Sequence, residues 1–508
     1  MIDALDDERS IFDPVNTQLR ARVASGVSVT AALQGLRVVL QMGSVVVLSR
    51  LLLPSDFGVV AMTSPVLGFM MIFQDLGLSQ AAVQRRILTQ RQASTLYWLN
   101  VVFAAVTCIA ALAISPVVGW FYGDPRVFHL LAAYAPLFFL SGCYAQHSAL
   151  LTRQMRFSQL AIVEGAAGTI GFVASLVAAW FLRSYWAVFV LSLTTTLATG
   201  AGMMLATRWL PSRPRRDPDG RDMLHFGAGV TGANIFNFLS RNLDNILIGK
   251  VWGSVALGLY DRAYKLLLFP LRQVNNPIQR VMEPALAGLV DEPRRYRHAY
   301  MRVVRMMALF TTPAILGTMV CADWFVDLVL GSRWAEVVPI FRALALAGLL
   351  EIFGSTLGWL MITQRRSSDL ATWALVNTTV CIISFVAGLP WGPLGVAIAY
   401  STSEVLIRTP AACWFVGRKG PVSRSDLFWL IAPFAMALAA AAGVLLVFRG
   451  FWSGPTLVAL GIGYALAFAT TWAILALFGD VRAALFEVVG FARQLIGGGL
   501  TRLRKRTA

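Results

Sequence analysis

Histidine and cysteine are scarce in this chain, and neither is grouped. The four histidines (His129, His147, His225, His298) form no HExxH or paired-ligand spacing, which removes the ligand set of a metal-assisted hydrolase. The five cysteines (Cys108, Cys143, Cys321, Cys381, Cys413) all fall within apolar runs and make no CxxC. Neither a disulfide framework nor a zinc site is indicated, and packing is their expected role. A GxxxxGK[ST] sequence is missing, which argues against direct ATP hydrolysis, and no cofactor is expected. Residues 1–23 carry too many acids, and no cleavage-type sequence, for a signal peptide, so the first apolar segment should remain as a membrane anchor. Charge itself is sparse: 14% of residues, with 26 acids against 43 Lys and Arg.

What is abundant is apolar length. Of 508 residues, 57% are hydrophobic, and the mean hydropathy is +0.66. Apolar runs recur from residue 24 to residue 478, the composition of a polytopic membrane protein. A spanning helix needs about 20 predominantly apolar residues, and that ruler gives about fourteen candidates. They are 24–49, 57–80, 93–115, 127–150, 158–181, 185–207, 226–249, 257–282, 300–321, 337–362, 369–390, 393–416, 427–448 and 454–478. The seventh and eighth are the least hydrophobic.

Their weakness has a pattern. Asn234, Asn237, Arg241 and Asp244 recur at the spacing of Gln34, Arg37, Gln41 and Ser44, 200 residues earlier. At about 100° per residue, steps of three, four and three keep each quartet within roughly 80° of arc, so two apolar helices carry matching polar stripes. A charged stripe inside a membrane must face protein or water. In the eighth segment Asp261, Lys265, Arg272, Asn276 and Gln279 share one face within about 60°.

The duplication extends further. Arg50 to Phe57-Gly58 matches Lys250 to Leu257-Gly258, and Leu151-Thr152-Arg153-Gln154 is echoed by Ile362-Thr363-Gln364-Arg365. The expected organisation is a tail (1–23), an N-lobe of helices 1–6 (24–207), a Pro- and Arg-rich linker (208–225), a C-lobe of helices 7–12 (226–416), two further helices (427–478) that look like an appendage, and a basic tail (479–508). The fold class is therefore all-α, with two pseudo-symmetric six-helix lobes around a central cationic cavity. Parallel six-helix repeats with a site between them describe an alternating-access transporter.

Basic residues orient it. With the N-terminus inside, cytoplasmic segments hold 30 of the 43 basic residues and outer loops hold six. That bias places both termini in the cytoplasm. It accounts for the net charge of +17 through topology and anionic lipid heads rather than nucleic acid.

Asp244-Asn245-Ile246-Leu247-Ile248-Gly249, followed by Gly258-Leu259-Tyr260, Ala263-Tyr264, Pro270, Pro277 and Pro284, resembles the signature region of Wzx-type polysaccharide flippases. These belong to the multidrug/oligosaccharidyl-lipid/polysaccharide exporter superfamily. Leu53-Pro54-Ser55-Asp56-Phe57-Gly58 is similar to the matching segment of their first half. The likeness covers roughly residues 25–420 and lies nearest to lipopolysaccharide or exopolysaccharide biosynthesis proteins. It implies flipping of an undecaprenyl-diphosphate-linked oligosaccharide between leaflets of the bacterial inner membrane, alongside membrane lipids, a polysaccharide polymerase and glycosyltransferases.

The residues suit such a cargo. A lipid diphosphate carries about two negative charges across a hydrocarbon core about 30 Å thick, where unpaired charge is very costly. Arg37, Arg241, Arg272 and Lys265 are the expected phosphate ligands, with Gln34, Gln41, Asn234 and Asn237 beside them for phosphate or sugar. For two of these cations an internal ion pair is the alternative: Arg241 with Asp244, Lys265 with Asp261. Arg37 has no acid on its own helix face. Candidates for ion coupling are the carboxylates Glu351, Glu404, Asp75 and Glu164. At Glu404 an i, i+4 salt bridge with Arg408 is the favoured reading. Trp98, Trp120, Tyr185, Trp186, Trp324, Trp334 and Trp429 read as interfacial anchors. Two rival functions remain at this stage: a multidrug or cation exporter, which would favour acidic cavity residues, and a membrane glycosyltransferase or polymerase, which would need catalytic acids in larger outer loops.

Overall fold

Inside a bilayer, a backbone must satisfy its own hydrogen bonds, and a run of some 20 apolar residues does so as a helix. The computed structural model of the protein follows that rule. It describes residues 19–75, 88–213, 220–479, 481, 482 and 485, with backbone alone for 19–32, 73, 75 and 220–241. Among the described residues there is no strand. Ten helical stretches among the described residues are long and apolar enough to cross a membrane. Of the expected tails and linker, residues 1–18, residues 214–219 and most of 479–508 lie outside the described residues.

The chain forms two compact units, one up to Gly258 and one from Leu259 onward. The first contains α1 (Leu19–Leu51), α2 (Pro54–Asp75), α3 (Gln90–Tyr122), α4 (Pro125–Arg153), α5 (Phe157–Leu182), α6 (Trp186–Thr207) and the opening of α7 (Gly220–Ala287). Its helix ends are written in the sequence. Thr89 and Gln92 form a capping box before α3, Gly123 closes α3 in the left-handed region at φ 70°, and Asp124 caps α4. Lipid offers no hydrophobic drive between helices, so small residues decide which faces meet. A Cβ on Gly142 of α4 would lie 2.2 Å from the Ala104 side chain of α3, and one on Gly171 of α5 would lie 2.0 Å from Thr195 of α6. Each crossing exists because the glycine has no side chain.

The duplication is visible in the backbone. The chain breaks before Pro54 and again at Gly253, where φ is 77°. Within the first unit the two breaks cross symmetrically. A Cβ on Gly58 would lie 1.7 Å from the Ser254 carbonyl, and one on Gly258 would lie 1.9 Å from the Pro54 carbonyl. These are equivalent contacts at the offset of 200. Further along, Met155 (φ 55°) and Arg365 (φ 56°) occupy matching left-handed turns, closed by Arg156 N to Leu151 O at 2.9 Å and Arg366 N to Met361 O at 2.8 Å. The turns pair Leu151 with Met361, not Ile362. The register is one residue shorter than the sequence pairing, because the left-handed residue fixes the alignment here and the side chains do not.

The second unit holds the remainder of α7, then α8 (Pro293–Val320), α9 (Ala322–Val329), α10 (Val337–Thr363) and α11 (Ser367–Gly388). It continues with α12 (Gly392–Ser403), which passes through a π-turn (Glu404–Arg408) into α13 (Thr409–Val416), and ends with α14 (Arg424–Phe451) and α15 (Thr456–Leu475). A close approach of Gly388 and Gly395, with Cβ positions 2.4 Å from the opposing carbonyls, makes α11 and α12 the two arms of a hairpin. The last two helices are more than an appendage. Leu427, Leu430, Phe434 and Leu475 share one core with Tyr296, Tyr300, Phe353 and Trp359 of α8 and α10. The Tyr464 hydroxyl meets Thr318 at 2.6 Å, and Trp472 donates to the Leu309 carbonyl at 2.9 Å. Trp334 is also no surface anchor. It is fully buried, whereas Trp120 and Trp429 are exposed.

Candidate functional site

In the first unit, α1 lies along α5 through small residues. Gly165 makes room for Leu33, and Gly43 for the Phe172 ring. That packing brings Arg37 to Glu164, with Nη2 and Oε2 2.8 Å apart. The pair is open: the side chains are 51% and 35% exposed. Gln34 and Gln41, one turn on either side, are exposed as well, and the Ser44 hydroxyl folds back onto the Gln41 carbonyl at 2.8 Å. Arg37, expected as a phosphate ligand, and Glu164, expected as a coupling acid, are thus one ion pair. They are separated by 127 residues, which no local spacing could reveal. A guanidinium has five N–H donors, and Glu164 engages one nitrogen of the fork, so further acceptors can be bound without breaking the pair.

The second unit has a different arrangement. Glu404 and Arg408 pair at 2.7 Å across the π-turn with side chains only 9% and 11% exposed, in line with the salt bridge expected from their spacing. π-Turns often mark functional positions, and this one turns both charges to the same side. Arg408 Nε donates to Asn377 at 2.8 Å, its guanidinium stacks 4.8 Å from the Tyr400 ring centre, and the Thr409 hydroxyl donates to Glu404 at 2.6 Å. A Cβ on Gly354 of α10, one turn on from Glu351, would lie 3.7 Å from Glu404 Oε1. Glu404, one of the coupling candidates, therefore sits in a polar cluster within an apolar bundle, and Glu351, another, is on the adjoining helix α10. Tyr400, Asn377 and Thr409 were missed, since each is an ordinary helix residue until its neighbours are known. Arg342, on the same helix as Glu351, turns instead to Asp323 at 3.3 Å.

Lys265 pairs with Asp261 at 2.8 Å, the alternative weighed for it; the lysine is half exposed and the acid buried. Arg272 is exposed, with no ion pair to any described residue. The side chains of Arg241, Asn234, Asn237 and Asp75 lie outside the described residues.

At the loop joining α3 and α4, Asp124 accepts from the Arg126 backbone at 3.0 Å and pairs with its guanidinium at 2.7 Å. Burial pushes the Asp124 carboxyl up, but these hydrogen bonds and the Arg126 charge outweigh it and hold the group below its usual range. Arg126 also reaches the Ser254 hydroxyl at 3.1 Å, tying this loop to the Gly253 break. Among the described residues no group of His, Cys, Asp and Glu could hold a metal ion.

Comparison with known proteins places this geometry. A family model described as polysaccharide biosynthesis protein matches residues 47–339. The chain is similar to the lipopolysaccharide biosynthesis protein WzxC of Escherichia coli (strain K12), 25% identical over 395 residues that cover 76% of this chain and 80% of that one. It is also similar to the teichuronic acid biosynthesis protein TuaB of Bacillus subtilis (strain 168), 28% identical over 343 residues, 66% of this chain and 71% of that one. Its fold matches a solved structure of the lipid II flippase MurJ in an inward closed conformation. The TM-score is 0.71 at 11% identity, covering 88% of this chain and 98% of the other.

Proposed function

The chain belongs to the polysaccharide biosynthesis protein family, and from that premise we propose that it flips a lipid-linked oligosaccharide across the bacterial inner membrane. The substrate is an undecaprenyl-diphosphate-linked repeat unit of O-antigen, capsule or exopolysaccharide, carried from the cytoplasmic to the outer leaflet by alternating access. A fold shared with a flippase supports this, as does a relative named for lipopolysaccharide biosynthesis. The 30-to-6 inward bias of basic residues supports cytoplasmic termini, and the repeat at offset 200 supports two six-helix lobes within about fourteen spans. The protein transports without catalysis.

One observation carries the reading: the Arg37–Glu164 pair is half exposed in the midst of two apolar helices. Lipid does not tolerate such a pair, so it lines an aqueous space. There Arg37 offers a bidentate fork to phosphate while Gln34 and Gln41 offer amides to phosphate or sugar. Arg272 and Lys265 contribute further positive charge, and Arg241, Asn234 and Asn237 complete the second polar stripe. Glu351 and Glu404 are the acids assigned to couple proton movement to the cycle, with Asp75 as a further acid.

The test uses purified wild-type protein in proteoliposomes. A fluorescent lipid-diphosphate oligosaccharide becomes accessible at the opposite leaflet, and a lipophilic cationic dye is not moved. Transport of the dye with no movement of the glycolipid would transfer the protein to the drug-exporter class.

A further inference from the structure

The two left-handed turns at Met155 and Arg365 are equivalent in backbone and opposite in charge balance. In the second unit, Arg366 donates to the Val416 carbonyl at 3.1 Å, and in the first, Arg156 donates to the Ala206 carbonyl at 2.9 Å. The offset of 210 carries Arg156 onto Arg366, Ala206 onto Val416 and Arg208 onto Arg418. In the second unit a carboxylate sits among these cations. Asp369 accepts from Arg366 at 2.9 Å and from Arg418 at 3.0 Å, with Lys419 at 3.8 Å. In the first unit the same offset puts Gln159 where Asp369 stands. Two of the three cations are repeated without the anion, Trp209 standing at the place of Lys419, and among the described residues neither Arg156 nor Arg208 has an acidic partner.

A cavity of about 520 Å³ opens at this place. Its walls are graded. Arg156, Gln159 and Arg208 lie at the ends of α5 and α6, while Ile162, Val163 and Leu205 lie about a turn deeper along the same helices. Cations at the helix ends over an apolar groove match a molecule with an anionic head and a hydrocarbon chain.

We propose that this cavity is a binding site for an anionic phospholipid of the cytoplasmic leaflet, whose phosphate occupies between Arg156 and Arg208 the place that the Asp369 carboxylate fills in the second unit. The phosphate oxygens accept from the two guanidinium groups and from the Gln159 amide, and an acyl chain follows Ile162, Val163 and Leu205. Neither Arg37 nor Glu164 lines the cavity, although Glu164 follows Val163 directly on α5. It makes the first unit responsive to lipid charge, and the second unit carries its anion permanently.

The experiment compares wild type, Arg208→Gln and Gln159→Asp in detergent. Melting temperature and retained lipid by native mass spectrometry are measured with phosphatidylglycerol, phosphatidylcholine or inorganic phosphate. Phosphatidylglycerol is expected to stabilise the wild type beyond phosphatidylcholine, and Arg208→Gln to weaken its retention about tenfold, the effect of one lost charge-assisted contact. Gln159→Asp supplies the internal anion, so it should lose the phosphatidylglycerol response while melting no lower than wild type without lipid. That variant separates the proposal from misfolding. Equal phosphatidylglycerol responses in all three proteins would overturn it. Inorganic phosphate matching phosphatidylglycerol would overturn the lipid assignment.

Discussion

Two arginine–glutamate pairs, one in each unit, have nearly the same length and opposite surroundings. Arg37–Glu164 joins two helices, at 2.8 Å, and stays half exposed; Arg408–Glu404 spans one turn, at 2.7 Å, and is nearly sealed among Asn377, Thr409 and Tyr400. The contrast separates an open pair from a sealed one. A pair with free donors and open access can exchange its partner for a ligand at little cost. A buried pair whose atoms are matched on several sides holds its helix together, because either charge alone would be stranded.

The buried pair should therefore give the largest effect on stability. Arg408→Ala leaves Glu404 without its counter-charge and is expected to cost about 3–5 kcal/mol, read as a drop in melting temperature of the purified protein. Lys265→Ala is intermediate. It strips the partner from a buried Asp261 whose Oδ2 already lacks one, and a loss of about 1–3 kcal/mol is expected by the same measurement. Asp124→Ala, removing a helix cap, should cost about 1 kcal/mol. Because the folded Asp124 carboxyl is held below its ordinary range, its contribution is complete above about pH 4 and is lost as pH falls through the lowered value. A melting profile from pH 7 to pH 3 on wild type and Asp124→Ala should thus show the gap between them narrowing toward the acid end. Arg37→Ala is expected to change stability least, by about 0–1 kcal/mol. A stability loss at Arg37 equal to that at Arg408 would erase the distinction between the two pairs.

Much of the fold was legible because membrane helices are written in contiguous apolar length, and the repeat because the polar quartets sit 200 residues apart. Pairs with i, i+4 spacing were legible for the same local reason: Lys265 with Asp261, and Arg408 with Glu404. What spacing cannot encode is a partner on another helix. Arg37 showed no acid on its own face, and Glu164 reaches it only through the glycine contacts of α5 with α1. Tyr400 was invisible for a like reason, as its role follows from the π-turn that brings Arg408 over its ring and from Phe385 of α11 stacked against it. Trp334 misled because an aromatic near a helix end is an anchor or a core residue depending on what the next helices cover. The π-turn at Glu404 left no mark in the hydropathy.

The most direct test is lipid-linked oligosaccharide translocation by Arg37→Ala and Glu164→Gln in proteoliposomes, with equal membrane insertion of wild type and both variants established first. The account predicts that Arg37→Ala lowers the rate by at least about tenfold, as loss of a charge-assisted phosphate contact would, while Glu164→Gln, which keeps the guanidinium and frees it, retains translocation. Wild-type rates in Arg37→Ala would contradict it.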